Sequence, residues 1–537
     1  MLSPDTAAVA TPARARALWR PVAAGLAAAL AGLGLAELTA AWIAPGASPV
    51  LTVGALVIDI VPAGVKDLVI GLFGTADKIV LIVTIVLVLL VLAAVAGILE
   101  SRRPPFGRLL VVLIGAIALF AALSRSSAST LDAVPAVVAM GVAAIALTFL
   151  TTRLPVDRPA PAPEPGVGAI FDAAGLDASG PDRRRFLVYT GVTAGIGLLT
   201  LLGGQISAAA TRAADAARAL FTLPAASVRQ SAIPAGASLD VAGITPLITP
   251  NADFYRIDTA LSVPRIDPRD WRLKITGMVE NEVEIDFAEL LALPLEESTT
   301  TLACVSNYVG GDLIGNATWL GYPIRELLAR ARPQSGADMV LSRSQDGFTA
   351  GTPIEALTDG RNAILAVGMN GEPLPLEHGY PVRMVVPGLY GYVSATKWVV
   401  ELKLTRFADE QGYWTPRGWS ALGPVKLSSR IDVPRDGTSA TAGSVVIAGV
   451  AWSQHVGVSA VAVQIDDGLW QDATLADAIS VDTWRQWAYT WTDASIGNHS
   501  IKVRATDAAG LVQTSATADV APDGATGLHE ISVSVSV

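Results

Sequence analysis

The sequence predicts three parts in order: an apolar helical bundle, a mixed α and β domain, and an all-β C-terminal sandwich. Three observations lead there. The chain has 537 residues, 51% hydrophobic and 16% charged, with a mean hydropathy of +0.48, against a charged share of about 25% in ordinary soluble domains. The long apolar runs lie before about residue 210. After about residue 435, short alternating segments separated by turn residues take over, as in a β-sandwich. The net charge of −10 argues against a nucleic-acid partner, which needs a positive surface.

Charge-free apolar runs occur at 21–36, 79–99, 109–124, 133–152 and 186–211. Crossing a bilayer takes about 20 apolar residues. The run at 79–99 meets this outright; the first extends through Glu37 to about Ala44, and 109–124 borrows from Pro104–Gly107. Asp59, Pro62, Lys66 and Asp67 interrupt a further stretch at 50–73. Positive loops belong on the cytoplasmic side. Three such loops are Arg14, Arg16 and Arg20; Arg102, Arg103 and Arg108; and Arg153, Arg158 and Arg183–Arg185. They share one side only if 50–73 is an outer-face or re-entrant segment. Residues 1–156 then hold four spanning helices, 157–185 form a Pro/Ala/Gly/Asp-rich cytoplasmic linker, and 186–206 are the fifth span. The expected localisation is the cytoplasmic membrane, multi-pass, with everything after the fifth span outside; were 50–73 to span, that part would be inside. DRRRFLVYTG (Asp182–Gly191) resembles a twin-arginine export signal, and reads equally as a positive stop before a helix.

Residues 207–245, rich in Ala, Thr and Ser, read as a connector. From 246 to 430 the pattern is mixed. Trp271–Val279 and Pro381–Gly388 read as strands, Phe287–Leu293 and Pro323–Ala331 as helices, the latter with proline in its tolerated first turn. Over 431–537, Val461, Val463 and Ile465 alternate before the turn Asp466-Asp467-Gly468, as do Ile501, Val503 and Ala505 before Asp507 and Gly510.

Cys304 is the one cysteine, which excludes an intrachain disulfide and a zinc cage of several thiolates. The four histidines are His378, His455, His499 and His529. A β-branched run, Thr299–Thr301, leads into Cys304; Ser306, Asn307 and the pair Gly310-Gly311 follow, as in a loop approached by a ligand. A thiolate is a soft ligand for a transition metal.

These residues, with Ala317, Trp319 and Gly321, resemble the cysteine loop of the sulfite oxidase family of molybdopterin enzymes. The resemblance implies that Cys304 is the protein ligand of molybdenum. A second block agrees: Asn370-Gly371-Glu372, His378-Gly379, Pro381, Arg383, Pro387-Gly388, Gly391 and Lys397-Trp398. It implies that His378, Arg383, Ser394 and Lys397 bind the pterin cofactor along with Ser306 and Asn307; Arg383 and Lys397 suit its phosphate. A third segment, TPNADFYRIDTAL (Thr249–Leu261), resembles the family's N-terminal cofactor segment and adds Asn251 foremost, with Phe254, Tyr255 and Arg256, although plain core packing would also explain the two aromatics. The C-terminal part resembles the family's immunoglobulin-like dimerisation domain. Tyr390, or else Tyr392, is the candidate catalytic hydrogen-bonding partner of a substrate held at the metal.

The chain departs from sulfite oxidases proper just after the cysteine, where their substrate-binding arginines are replaced by Tyr308 and Val309. The expected activity is therefore oxygen-atom transfer on another small S- or N-containing substrate. No CxxCH, no cysteine set and no histidine in the apolar region are present, so neither haem nor an iron–sulfur cluster is expected. A separate haem protein or quinone-linked redox partner would carry electrons, and a homodimer through the C-terminal domain is one implied assembly. The competing reading is a catalytically inactive membrane-anchored binding or adhesion protein on the same fold. A transporter has little support, since paired charges within the membrane are not evident in the sequence.

Overall fold

The computed structural model describes residues 18–206, apart from 45, most of 62–75, 126–127 and 154–179, together with 218–537. Arg14, Arg16, Arg158, Pro62, Lys66 and Asp67 lie outside the described residues, as do the linker over 157–179 and positions 207–217 of the connector. The chain forms two compact units, Met1–Ala209 and Ala210–Val537.

The first unit is helical: α1 (Trp19–Ile43), α2 (Pro49–Ile60), α3 (Asp77–Arg102), α4 (Phe106–Leu123), α5 (Ala133–Thr151) and α6 (Gly180–Ile206). Among the described residues, four helices (α1, α3, α4 and α5 with its preceding turn) are long and apolar enough to cross a membrane. With 12 residues, α2 reaches only about 18 Å. Helix α6 begins at Gly180, earlier than the expected 186, so Arg183–Arg185 are helical rather than part of a linker. Pro181 is tolerated in the first turn, and nothing between Arg185 and Phe186 breaks a helix. Small residues let these helices approach closely. A Cβ added at Gly25 would overlap the Ala93 carbonyl, and one at Gly97 that of Pro21. Leu87 and Val91 of α3 point away from the bundle, 58% and 63% exposed.

Two ion pairs in this unit are not evident from the sequence. Arg125 meets Asp59 at 3.2 Å, and Arg108 meets the buried Glu100 at 2.7 Å. Both pairs sit at helix ends, and Arg108 supplies the partner that the buried Glu100 carboxylate requires. They join residues from different helices, a proximity that sequence spacing alone does not disclose.

The second unit opens with a five-stranded sheet in the order β2-β1-β10-β5-β6, from β1 (Arg272–Gly277), β2 (Val283–Asp286), β5 (Met339–Ser344), β6 (Thr349–Pro353) and β10 (Val399–Thr405). A second sheet holds β3 (Glu296–Ala303), β4 (Ile314–Pro323), β7 (Ile364–Met369) and β8 (Glu372–Pro373), with β9 (Arg383–Val385) pairing β7. The helices α7 (Phe287–Ala292) and α8 (Ile324–Ala331) pack with both sheets around one core that includes Trp271, Leu273, Leu327, Leu365 and Leu402. Helix α7 starts on a capping box: Asp286 accepts from the Glu289 N–H at 2.8 Å, and Glu289 from the Asp286 N–H at 2.9 Å.

The C-terminal region is β-rich. One sheet runs β11 (Ser428–Val433), β13 (Gly443–Trp452), β17 (Arg485–Ala494), β16 (Thr474–Leu475). The other runs β12 (Ser439–Thr441), β19 (His529–Ser536), β18 (Gly497–Asp507), β14 (Val458–Ile465), β15 (Gln471–Asp472). Their inward side chains share a core that includes Ile447 and Trp487 from the first sheet and Val461, Val463, Ile501 and Val503 from the second. The turn after β14 has positive φ at Asp466 and Asp467, and the Gly468 N–H closes it onto the Ile465 carbonyl at 2.9 Å. This is the type I′ geometry that matches strand twist.

Candidate active site

Strand β3 delivers Cys304 to its end, and β4 resumes at Ile314. The intervening loop is braced from within. The Cys304 N–H donates to Leu313 O at 2.9 Å, the Asn307 N–H to Cys304 O at 3.1 Å, and the Leu313 N–H to Asn307 Oδ1 at 2.9 Å. Asn307 is thereby occupied in holding its own loop. The Cys304 thiol is buried. Burial pushes its pKa up, and hydrogen bonds from the backbone and hydroxyl of Ser306 oppose the rise.

Two cations approach from the other block. Arg383, on β9, is buried and donates to the carbonyls of Met384, His378 and Ala395 at 3.2–3.4 Å. Lys397 donates to Asp258 Oδ2 at 2.7 Å and to Glu377 O at 3.0 Å. Burial holds the Lys397 pKa down to about 8, against the pull of Asp258, and the Arg383 pKa down to about 10. His378 is buried edge-on to Phe254. Burial first, then Arg383 and Lys397, push its pKa down to about 3, so it is a neutral imidazole.

Two phenols complete the cluster. Tyr255 senses both the Cys304 thiol and Arg383, linking the two blocks in space, and burial pushes its pKa far above the ordinary value. Tyr390 is buried; burial raises its pKa to about 12, opposed by the Lys426 N–H and assisted by Cys304. Tyr392 is turned elsewhere, donating to Ser420 O at 2.7 Å. Phe254 packs against Trp319 and lines the core beneath the site. Asn251 donates to Met369 O at 3.2 Å and accepts from Asn370 at 2.8 Å, tying the first segment to the second block. The Ser394 hydroxyl donates to the Tyr390 and Leu389 carbonyls, at 2.9 and 3.2 Å. Its proton is committed to the main chain.

Sequence reasoning missed Asp258. It lies inside the segment Thr249–Leu261, but its partner Lys397 is 139 positions away, so no local pattern marks it. Arg256 also pairs with it, at 3.0 Å.

This donor set fits a molybdopterin. The Arg383 guanidinium has no carboxylate within ion-pair reach among the described residues, and Lys397 shares its carboxylate with Arg256. An uncompensated buried cation is costly and suits an anionic group such as the pterin phosphate. No cluster of three or more His, Cys, Asp or Glu able to cage a metal occurs among the described residues. A metal at Cys304 would need ligands from the cofactor itself.

The fold and site therefore define a molybdopterin oxidoreductase. A family model, the oxidoreductase molybdopterin binding domain, matches residues 260–414. Rat mitochondrial sulfite oxidase is 31% identical over 271 residues, 42% of this chain and 49% of that protein. The chain thus spans about half the length of the sulfite oxidases it matches. The catalytic subunit MsrP of protein-methionine-sulfoxide reductase from Burkholderia mallei is 30% identical over 282 residues, 47% of this chain and 78% of that one. The solved sulfane dehydrogenase SoxCD from Paracoccus pantotrophus aligns over 59% of this chain and 94% of that chain, with 22% identity and a TM-score of 0.47. The chain belongs to the sulfite oxidase family of molybdopterin-dependent oxidoreductases.

Proposed function

We propose that this protein is a membrane-anchored molybdenum-cofactor oxidoreductase that moves an oxygen atom onto or off a small, uncharged S- or N-containing substrate. The observation that carries the reading is the lone buried thiol of Cys304, hydrogen-bonded by Ser306, in one cluster with the uncompensated Arg383 guanidinium. When bound, the cofactor supplies a metal that exchanges an oxygen atom and two electrons with substrate.

The residues have separate tasks in this reading. Cys304 binds the metal as a thiolate; a metal's charge deprotonates a coordinating thiol outright, and the two donors from Ser306 stabilise the sulfur's charge. Arg383 and Lys397 hold the phosphate, with neutral His378 and Tyr255 beside the pterin. Asn251, Asn307 and Phe254 fix the walls, and Ser394 offers only its acceptor lone pairs. Tyr390, with a pKa near 12, keeps its proton at neutral pH and donates it in a hydrogen bond to the substrate oxygen. Tyr308, 61% exposed just after Cys304, offers an aromatic face rather than a cation, which disfavours an anionic substrate such as sulfite.

The helical unit anchors the enzyme in the cytoplasmic membrane through five spans, with residues 246–537 on the outer side. Residues 431–537 form an immunoglobulin-like module through which two copies pair. Electrons pass to or from a separate haem protein or quinone-linked partner, a reading supported by a sequence with a single cysteine and no CxxCH. The test uses full-length protein in detergent, from a host that makes the cofactor. Reduced dye is offered with a panel of sulfoxides and N-oxides, and oxidised dye with sulfite. Turnover of a neutral oxide without sulfite oxidation is the expected result. Sulfite oxidation as the dominant activity would overturn the substrate assignment.

A further inference from the structure

The loop that carries Cys304 is fastened from outside by the β-rich C-terminal region. Arg430, on β11, is buried and paired with Asp432 at 2.7 Å. Its other two nitrogens leave that pair. One donates to Gly311 O at 2.7 Å and the other to the Thr245 hydroxyl at 2.8 Å. Asp432 in turn accepts from the Thr245 N–H at 3.1 Å. One residue earlier in the loop, Gly310 has φ +79, and an added Cβ would run into the His529 ring. His529 is itself locked, accepting from the Ile431 N–H at 2.9 Å through Nδ1.

We propose that Arg430 is a positioning residue: it sets the place of the Cys304 sulfur through Gly311. The relay is short and rigid. Gly311 lies two residues before Leu313, which is bonded to both Cys304 and Asn307. A buried ion pair contributes little net stability by itself, and an apolar pair would fill the same space. Here the guanidinium fork does what an apolar side chain cannot: it fixes three segments, around 245, 311 and 432, in one geometry. The C-terminal region is then a working wall of the catalytic centre as well as a surface for pairing. The inference deepens the reading of Cys304 as metal ligand and rests on it for its functional meaning.

The chain's single cysteine makes the test direct. Alkylation of Cys304 by N-ethylmaleimide is timed in cofactor-free, full-length protein, for wild type, Arg430→Met, Arg430→Lys and Thr245→Val. Val503→Ala, in the core of the same region, controls for destabilisation without touching the loop. Loss of a charge-assisted hydrogen bond that closes the loop should accelerate alkylation of Arg430→Met about ten-fold or more, with smaller rises in Arg430→Lys and Thr245→Val and none in Val503→Ala. In cofactor-loaded protein, the paramagnetic resonance of the metal should shift in Arg430→Met and stay put in Val503→Ala. If Arg430→Met does not fold, the two milder variants decide. Alkylation unchanged within about two-fold, or raised equally by Val503→Ala, would overturn the clamp. These alkylation rates do not depend on whether Cys304 binds metal; unaltered metal coordination in a cofactor-loaded Cys304→Ala variant would instead overturn the underlying reading.

Discussion

The Arg383 guanidinium lies 5.1 Å from the ring centre of Trp319 and sends its hydrogen bonds to main-chain carbonyls alone. Cation–π attraction to an indole offsets part of its desolvation, yet the charge keeps no acidic partner among the described residues. Arg383→Met should therefore separate two quantities that usually fall together. In cofactor-free protein its melting temperature should match or exceed wild type, since an apolar isostere relieves a buried charge. Cofactor retention should drop by about ten-fold or more, the value of one charge-assisted contact. Thermal scans and molybdenum content together check this; equal retention would remove Arg383 from the anion site.

Asp258 is the counterpart case. Its carboxylate pairs with the buried Lys397 at 2.7 Å. Asp258→Asn leaves that ammonium uncompensated and should destabilise the protein by about 3 kcal/mol. Adding Lys397→Met should restore most of the loss, a coupling read from a double-mutant cycle by denaturant unfolding. Additive effects would show that the pair is incidental.

Acid sensitivity follows from the histidines. His378 and His529 have folded pKa values below the ordinary 6.5, mainly through burial. Below pH 6.5 the unfolded chain takes up protons that the folded chain refuses, so stability falls as pH falls. With its folded pKa near 3, His378 alone should remove about 2 kcal/mol between pH 6.5 and 5. His499, raised by Asp466, works in the opposite sense and is screened by solvent. The lowered carboxylates Asp267, Asp359, Glu410 and Asp466 lose their stabilisation at lower pH, below about 4. Unfolding curves of cofactor-free wild type and His378→Gln between pH 5 and 7 should differ in slope, the variant being flatter.

Topology can be read with engineered thiols. In a Cys304→Ser background, Leu469→Cys, at a position 83% exposed in the C-terminal region, should react with an impermeant maleimide on intact spheroplasts. Arg103→Cys, between α3 and α4, should react only after lysis. The reverse pattern would place residues 246–537 inside.

Much of the fold was legible because its signals are local. Alternation of Val461, Val463 and Ile465 with the Asp-Asp-Gly turn marks a hairpin, and β-branched residues running into Cys304 mark β3. The chemistry-bearing residues of the two blocks were legible as types at spacings that match a family. What stayed hidden depends on contacts between distant segments. Asp258 finds Lys397, Arg430 finds Gly311, and the Ser394 hydroxyl turns back to the main chain; none of these follows from periodicity. The helix-end pairs Asp59–Arg125 and Glu100–Arg108 were missed for the same reason. The early start of α6 was missed because charged residues read as linker, although arginine is a good helix former.

The most direct test of the central assignment is molybdenum content, measured by elemental analysis on the full-length protein and its Cys304→Ala variant from a host able to insert the cofactor. About one metal per chain in wild type, with altered metal coordination and no turnover in the variant, is the expected result. A wild-type protein with no molybdenum and no pterin, or a Cys304→Ala variant with unaltered coordination and full activity, would contradict it.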